Sequence, residues 1–267
     1  EAIRDDRVGA VFVSTDEENH HGPAALAAEL GKPVLIEKPL SHTLKNVNKL
    51  IALKKKHELV GLLGYCFRHN SGALKFKNIL KNQNIGQVLS VRVDCGSFLP
   101  QWRKNLEYKK SVSAVKDLGG GVLLELSHEL DYVSWFFGQL KTVSAILYNS
   151  GVLDIDVDDT AEILFESING FPVSIHLDFN SRNVRRKCIV RCTNVDLTWD
   201  IIQNKIICSS KNSYEEINIE KDSWDLMYEN QLLHFFDCIE NKKEPLVTLD
   251  DGKLVLKLIK AIELSFK

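Results

Sequence analysis

The chain has 267 residues, 44% hydrophobic and 26% charged, which is the make-up of an ordinary globular protein of about two domains. Its 34 basic and 36 acidic residues leave a net charge of −2, which excludes the concentrated basic face of a nucleic-acid-binding protein. No apolar run is long enough to span a bilayer as a helix, so neither nucleic acid nor membrane is an expected partner. The six cysteines, Cys66, Cys95, Cys188, Cys192, Cys208 and Cys238, are scattered among apolar residues without paired ligand spacing. They read as buried, reduced thiols of a cytoplasmic protein, and no metal site is expected.

In chain order, residues 8–14 form a short, nearly continuous apolar run, the pattern of a strand buried on both faces. Residues 20–30 are rich in Ala and Leu at helical spacing and stop at Gly31. Residues 33–36 read as the next strand, 43–57 as an amphipathic helix and 59–65 as a third buried strand. Strand and helix alternating at this spacing predict a parallel α/β sheet. After about residue 67 the character changes. A helix over 71–82 leads to Gly86, and Leu89, Val91, Val93 and Cys95 then alternate with polar residues as in a half-buried strand. Similar alternation recurs near 142–148, 160–167, 171–179, 187–192, 195–200 and 204–208, with Asn169-Gly170 marking a hairpin. This second region predicts a mostly antiparallel sheet with one free face. Two helices close the chain, about 223–241 and 251–266. Asp222 or Ser223 is placed to cap the first, and Asp250 or Asp251 the second. The expected division is a parallel-sheet domain over 1–67 and an α+β domain over 68–267.

Two segments carry chemistry. In the first, the apolar run Val34-Leu35-Ile36 ends in Glu37-Lys38-Pro39, placing two charges at the carboxyl end of a buried strand. Ligands of open parallel sheets bind at that end. A lysine there serves as an acid or base where its surroundings lower its pKa. In the second, Gly119-Gly120-Gly121 opens an apolar helical stretch running to Phe137. Three glycines allow backbone to approach a ligand closely. Glu125, His128 and Tyr132 follow at i, i+3 and i+7, sharing one stripe. A carboxylate beside a histidine orients the imidazole and favours its charged form.

Taken together, these segments resemble the glucose–fructose oxidoreductase / inositol dehydrogenase / rhizopine catabolism (Gfo/Idh/MocA) family. The Glu37-Lys38-Pro39 strand end, Tyr65 to Asn70, Ile85-Gly86-Gln87-Val88, the glycine segment through His128 and Asp131, and the closing stretch from Trp224 with His234-Phe235, Pro245 and Asp251-Gly252 stand in the family's order. The resemblance implies a Rossmann dinucleotide domain joined to an α/β domain on an open, mostly antiparallel sheet. It also implies NAD or NADP as cofactor and a sugar or cyclitol carbon as the reacting centre. Carried onto this sequence, Lys38 contacts the reacting hydroxyl, His128 is the partner acid or base at the same oxygen, and Glu125 supplies the carboxylate. Glu37 lies beside the nicotinamide end. Ser14, Thr15 and His20 match the cofactor-contacting turn, and Arg68 and Asn70 line the cleft, Arg68 on the cofactor side. The loop over 99–116 borders the substrate, with Trp102 and Tyr108 for stacking and Arg103, Lys109 and Lys110 for an anion. An anionic sugar, such as a sugar nucleotide or sugar acid, is the expected substrate. A homodimer or homotetramer through the open sheet face is the expected assembly.

Three features depart from the family pattern. No G-x-G-x-x-G follows a strand in this chain, and two strand–helix units of about 30 residues each are expected ahead of Glu1 in a full-length member. The position four before His128 is Leu124, with the carboxylate shifted to Glu125. The turn after the first strand reads Thr15-Asp16-Glu17, whose two acids are expected to repel a dinucleotide's phosphates. The alternative to an NAD(P)-dependent sugar oxidoreductase is therefore a non-catalytic sugar-binding or scaffolding homologue without the nucleotide site.

Overall fold

The computed structural model describes residues 2–103 and 105–266. Three short strands, β1 (Val11–Val13), β2 (Val34–Ile36) and β3 (Gly61–Leu63), pair in parallel in the order β1-β2-β3. Their register aligns Val13, Ile36 and Leu63, so the following residues, Ser14, Glu37 and Gly64, form one level row. α1 (His21–Glu29) packs on β1 and β2 with the small buried side chains of Ala24, Ala27 and Ala28. α2 (Val47–Lys56) lies beside it. It starts later than its apolar pattern predicts, because Asn46 takes a left-handed conformation (φ 63°) that ends the preceding turns.

The second sheet runs β11-β10-β9-β8-β4-β7-β6-β5. Its strands are β4 (Val88–Gly96), β5 (Leu140–Tyr148), β6 (Thr160–Ser167), β7 (Pro172–Asp178), β8 (Arg185–Cys192), β9 (Asp196–Asp200), β10 (Lys205–Ser209) and β11 (Tyr214–Asn218). β4 and β7 pair in parallel and the other neighbours antiparallel. Val91, Val93, Cys95, Val173, Ile175 and Leu177 are buried on one face, and the alternate residues form the free face, as the period of two requires. Leu89 breaks the expected alternation. A bulge between Val88 and Ser90 turns it outward and leaves it half exposed. β11 has no counterpart among the expected strands. Its residues, Tyr-Glu-Glu-Ile-Asn, bury no stripe and become a strand only by pairing with β10.

α3 (Ser71–Leu80) and a pair of helices, α4 (Val122–Glu125) and α5 (His128–Phe137), belong to the covered side of this sheet. Trp199 of β9 packs against Phe76 of α3 and Tyr132 of α5. The closing helices, α6 (Trp224–Asn241) and α7 (Leu249–Ser265), return to the first sheet. Phe235 of α6 sits on Leu35 and Leu62. α7 contacts both β3 and β5. One continuous core therefore runs through both sheets, and a division at residue 67 does not separate independent cores. All six cysteines are free, and no helix among the described residues is long and apolar enough to cross a membrane.

The helix starts depend on short polar contacts. Ser223 caps α6, its hydroxyl accepting from the Leu226 amide. α7 is capped by Thr248 rather than by Asp250 or Asp251. Thr248 Oγ1 accepts from the Asp251 amide at 3.1 Å, and the Asp251 carboxylate accepts from the Thr248 amide at 2.7 Å. Losing one side of such a reciprocal cap costs about 1 kcal/mol. Thr248→Ala is expected to lower Tm by about 2–4 °C in a chain of this size, whereas Asp250→Ala leaves it unchanged. Equal melting of both variants would refute the cap.

Candidate active site

The site is built where the two sheets meet. β2 leaves its sheet at Glu37, whose amide donates to the Val13 carbonyl at 2.9 Å. Gly64 lies alongside, and a Cβ there would come within 2.9 Å of Glu37 Oε2 and 3.1 Å of the Glu37 Cα and the Lys38 amide nitrogen, crowding the strand end. The next residue, Lys38, precedes a cis peptide to Pro39. Its ammonium reaches across to the glycine-rich segment, donating to the Glu125 carbonyl at 3.0 Å and the Glu125 carboxylate at 3.3 Å. The other carboxylate oxygen accepts from Ser113 Oγ at 3.0 Å. Burial pushes the Glu125 carboxyl up, but the Lys38 charge and the Ser113 hydroxyl outweigh it and hold it below its ordinary value.

The glycine segment is as tight as its composition implies. A Cβ on Gly120 would run into the Val112 and Val115 carbonyls, so only glycine packs there. The segment is nevertheless not one helix. It breaks at Leu126–Ser127 between α4 and α5, which splits the expected stripe. Glu125 faces Lys38, Tyr132 packs on Trp199 and Phe136, and His128 starts α5 on its own. Both Glu125 oxygens are taken by Lys38 and Ser113, so the carboxylate does not orient the imidazole or favour its charged form as the spacing suggested. Burial, then the charges of Arg186 and Lys38, hold His128 well below its usual range. His128 is a neutral ring at pH 7.

The strand-end turn holds more than its polarity suggests. Ser14 and Thr15 are exposed at the end of β1. His20 is buried, one ring nitrogen 2.8 Å from the Pro39 carbonyl and the other 2.9 Å from the Thr15 carbonyl. It joins the two turns, with both nitrogens engaged by backbone. Glu17 does not project into solvent. It is buried against Gly119, and burial pushes its carboxyl up to about 8, with Lys38 pulling it down and Glu125 adding to the rise. Burial thus favours its uncharged form at neutral pH, which weakens the repulsion of phosphates expected from Glu17.

Two residues expected in the cleft have their polar groups engaged within the fold. Arg68 is buried, its guanidinium bound to Asp131 (2.7 and 3.1 Å), Asp251 (3.0 Å) and the Leu246 carbonyl (3.1 Å). It clamps α5 to α7 and presents no free fork to a cofactor. Asn70 caps α3 by accepting from the Ala73 amide at 3.0 Å and donates to Asp222 at 3.0 Å. In the loop before the glycines, Trp102, Arg103 and Tyr108 share a recess with Ser113, next to Glu125. Trp102 donates to Ser97 Oγ and Tyr108 to the Leu153 carbonyl. Lys109 and Lys110 pair with Asp154 and Glu107 at the surface, whereas Arg103 and Lys116 are exposed and form no ion pair among the described residues, Arg103 lying near enough for its charge to lower Glu125. Lys104 lies outside the described residues.

The sequence patterns did not point to Ser113, Trp224 or Tyr228. Trp224 meets Phe67 edge-on at 5.5 Å, and Phe67 meets His128 at 4.9 Å. Tyr228 is pushed up by burial and by Cys66, Glu37 and Glu125, so it stands at the same strand ends. Both aromatics are about half exposed. Their i, i+4 spacing on an amphipathic helix was the available signal. Behind the glycine segment lies a cavity of about 340 Å³ bordered by His42, Lys116, Asp156, Asp158 and Glu263. Lys38, Glu125 and His128 do not line it.

The native Glu17 carboxyl lies at about 8 against an ordinary 4.5, so between those values the folded chain holds a proton that the unfolded chain has released. Stability therefore falls as pH rises through this window. Glu17→Gln is expected to be more stable than the parent at pH 8, on the order of 2–4 kcal/mol, with the difference vanishing near pH 4.5. Denaturant melts at the two pH values test this. A difference that does not change with pH would show that Glu17 is ionised in the native state.

Residues 1–65 match the family model described as oxidoreductase family, NAD-binding Rossmann fold, and residues 73–198 match the GFO/IDH/MocA C-terminal domain. A 1,5-anhydro-D-fructose reductase of Ensifer adhaerens is 25% identical over 259 residues, covering 94% of this chain and 75% of that protein. The fold superposes on a levoglucosan dehydrogenase, solved in complex with NADH and levoglucosan, with a TM-score of 0.88 at 19% identity, covering 99% of this chain and 79% of that one. It superposes on a UDP-N-acetylglucosamine 3-dehydrogenase from Acidithiobacillus ferrooxidans with a TM-score of 0.79 at 18% identity, covering 97% and 78%. With both halves of the family's architecture matched in order, the chain belongs to the GFO/IDH/MocA family of oxidoreductases.

Proposed function

We propose that this chain carries the proton-handling centre of an NAD(P)-dependent oxidoreductase acting on a hydroxyl or carbonyl of a sugar, sugar acid or sugar nucleotide. The supporting observation is the Lys38–Glu125 contact at the carboxyl ends of the parallel strands, with neutral His128 close enough for the Lys38 charge to act on it. The residues present fit the nicotinamide end of a dinucleotide. Glu37 and Gly64 form a tight strand-end row, Ser14 and Thr15 are open beside it, and the buried Glu17 Oε2 has no hydrogen-bond partner among the described residues. When bound, the nicotinamide supplies the hydride chemistry. The chain's own contribution is proton traffic. Lys38 Nζ contacts the reacting oxygen and exchanges its proton, ionised Glu125 holds that ammonium in place, and His128 hydrogen-bonds the same oxygen as a neutral ring. Trp224 and Tyr228 face the sugar with ring surfaces, and Arg103 takes an anionic group.

The free face of the second sheet exposes Val143, Ile146, Tyr148 and Leu164. It is the surface proposed for a homodimer or homotetramer. The proposed location is the cytoplasm, where free cysteines stay reduced.

NADH fluorescence titration of this chain and of any longer form separates this reading from that of a non-catalytic homologue. Binding by one form, with Lys38→Ala lowering kcat by about 10²–10⁴-fold, supports the oxidoreductase. No binding by any form supports the binding homologue. Arg103→Ala is expected to raise KM for a sugar nucleotide about tenfold, the loss of one charge-assisted hydrogen bond, and to leave a neutral sugar unaffected. Equal effects on both substrates would remove Arg103 from the anion site.

A further inference from the structure

Behind His128 stands a charged assembly that the proton path does not use. Arg186 of β8 enters the core and forms a two-point ion pair with Glu129, at 2.7 and 2.9 Å. Glu129 is wholly buried. The Arg186 guanidinium lies 4.3 Å from the centre of the Phe67 ring, and Phe67 presents an edge-on contact to the His128 imidazole at 4.9 Å. Tyr65 meets the same imidazole edge-on at 5.5 Å. The imidazole is thus wedged in an aromatic corner whose outer wall is pressed by a fixed guanidinium.

We propose that Arg186 is a positioning residue for His128: clamped by Glu129, it holds Phe67 against the imidazole and sets a permanent positive charge behind it. His128 then works as an uncharged hydrogen-bonding ring, and the mobile proton stays with Lys38. This rests on the reading of His128 as a residue of the active cleft.

The groups that face the ring agree. Arg186 from β8 and Lys38 from the β2 turn are the charges that act on it, and both are positive. Glu129, the next residue along α5, has both oxygens engaged by Arg186. Glu125, at the end of α4, has its oxygens taken by Lys38 and Ser113. Tyr65 and Phe67 meet the imidazole at steep ring angles and bring no charge to it. Both charges that act on the ring oppose a second positive charge there, and Nδ1 has no hydrogen-bond partner among the described residues. Guanidinium suits this post because its planar fork binds a carboxylate at two points while its face lies on an aromatic ring, which an ammonium cannot do.

A purely structural ion pair would stabilise the fold without moving the imidazole's protonation. The test therefore removes both charges together, since stripping one partner leaves the other buried and unpaired. In Arg186→Met/Glu129→Met, the His128 ring is followed by NMR across pH on ligand-free protein, its signal assigned by loss in His128→Asn. The protonation midpoint is expected to rise by at least about one pH unit, a tenfold gain in proton affinity. The acid limb of the kcat profile is expected to move with it while KM changes less. Arg186→Lys, which keeps the charge, is expected to stay within about threefold of the parent midpoint. An unchanged midpoint in the folded double variant overturns the proposal. Arg186→Gln/Glu129→Gln is the second variant, read in the same way if the methionine pair does not fold. Failure of both pairs to give a native melt assigns Arg186 to stability alone and equally overturns it. Because the ring is titrated without ligand or turnover, that outcome leaves the proposed reaction standing. Absence of NADH binding would reject the reaction and leave the titration intact.

Discussion

The contact on which the rest of the site depends is the reach of Lys38 to Glu125, residues 87 apart in the chain. It ties the carboxyl end of β2 to the end of α4, and so one sheet to the helices of the other. Several otherwise unrelated features serve it. Gly64 leaves space for Glu37 at the strand end, and Gly120 lets the segment before α4 fold tightly against Val112 and Val115. Ser113 takes the second carboxylate oxygen. An ion pair between largely buried partners interacts more strongly than one at the surface but must have its remaining lone pairs satisfied. The main-chain carbonyl of Glu125 and the Ser113 hydroxyl meet that condition.

Around this contact the charge states are divided by environment. Glu125, paired with an ammonium, is pushed toward its ionised form, while Glu17, buried with no hydrogen-bond partner for Oε2 among the described residues, is pushed toward its neutral form. Two carboxyls near one lysine thus have their proton affinities driven apart, an arrangement that separates acid from base at an active site. Both acids of the first turn of α5 face inward. Glu129 takes Arg186 and Asp131 takes Arg68. Acids are favoured at a helix N-terminus, and here each also meets a guanidinium. The helix that carries His128 is therefore anchored from two sides by buried ion pairs, which are intolerant of losing one partner.

The closing helices explain why the site does not belong to either sheet alone. α6 lays Phe235 on Leu35 and Leu62, and the same helix brings Trp224 and Tyr228 to the strand ends. α7 joins β3 to β5, and its Asp251 both completes the helix cap and binds Arg68. The half-exposed aromatics at the strand ends and the inter-sheet clamp thus come from the last quarter of the chain, far in sequence from Lys38.

The sequence by itself determined the alternation of strands and helices and the change from a parallel to a mostly antiparallel sheet, and it singled out Glu37-Lys38-Pro39 and Gly119–His128 as candidate segments, which the fold joins through Lys38 and Glu125. These are local signals: apolar periodicity, glycines where backbone crowds, and charges where a buried run stops. It was blind to β11, which bury-and-alternate patterning cannot reveal because only pairing makes it a strand. It also took Glu125, His128 and Tyr132 for one stripe, since a break at Leu126–Ser127 leaves no mark in composition. Only the tertiary structure decided that Glu125 serves Lys38 instead of His128, that Arg68 and Asn70 are structural clamps, and that Glu17 is buried. The physical reason is common to all three. The partner of a charged or polar side chain is set by what the fold brings near it, and a carboxylate reads the same in sequence whether water, an ammonium or a glycine backbone awaits it.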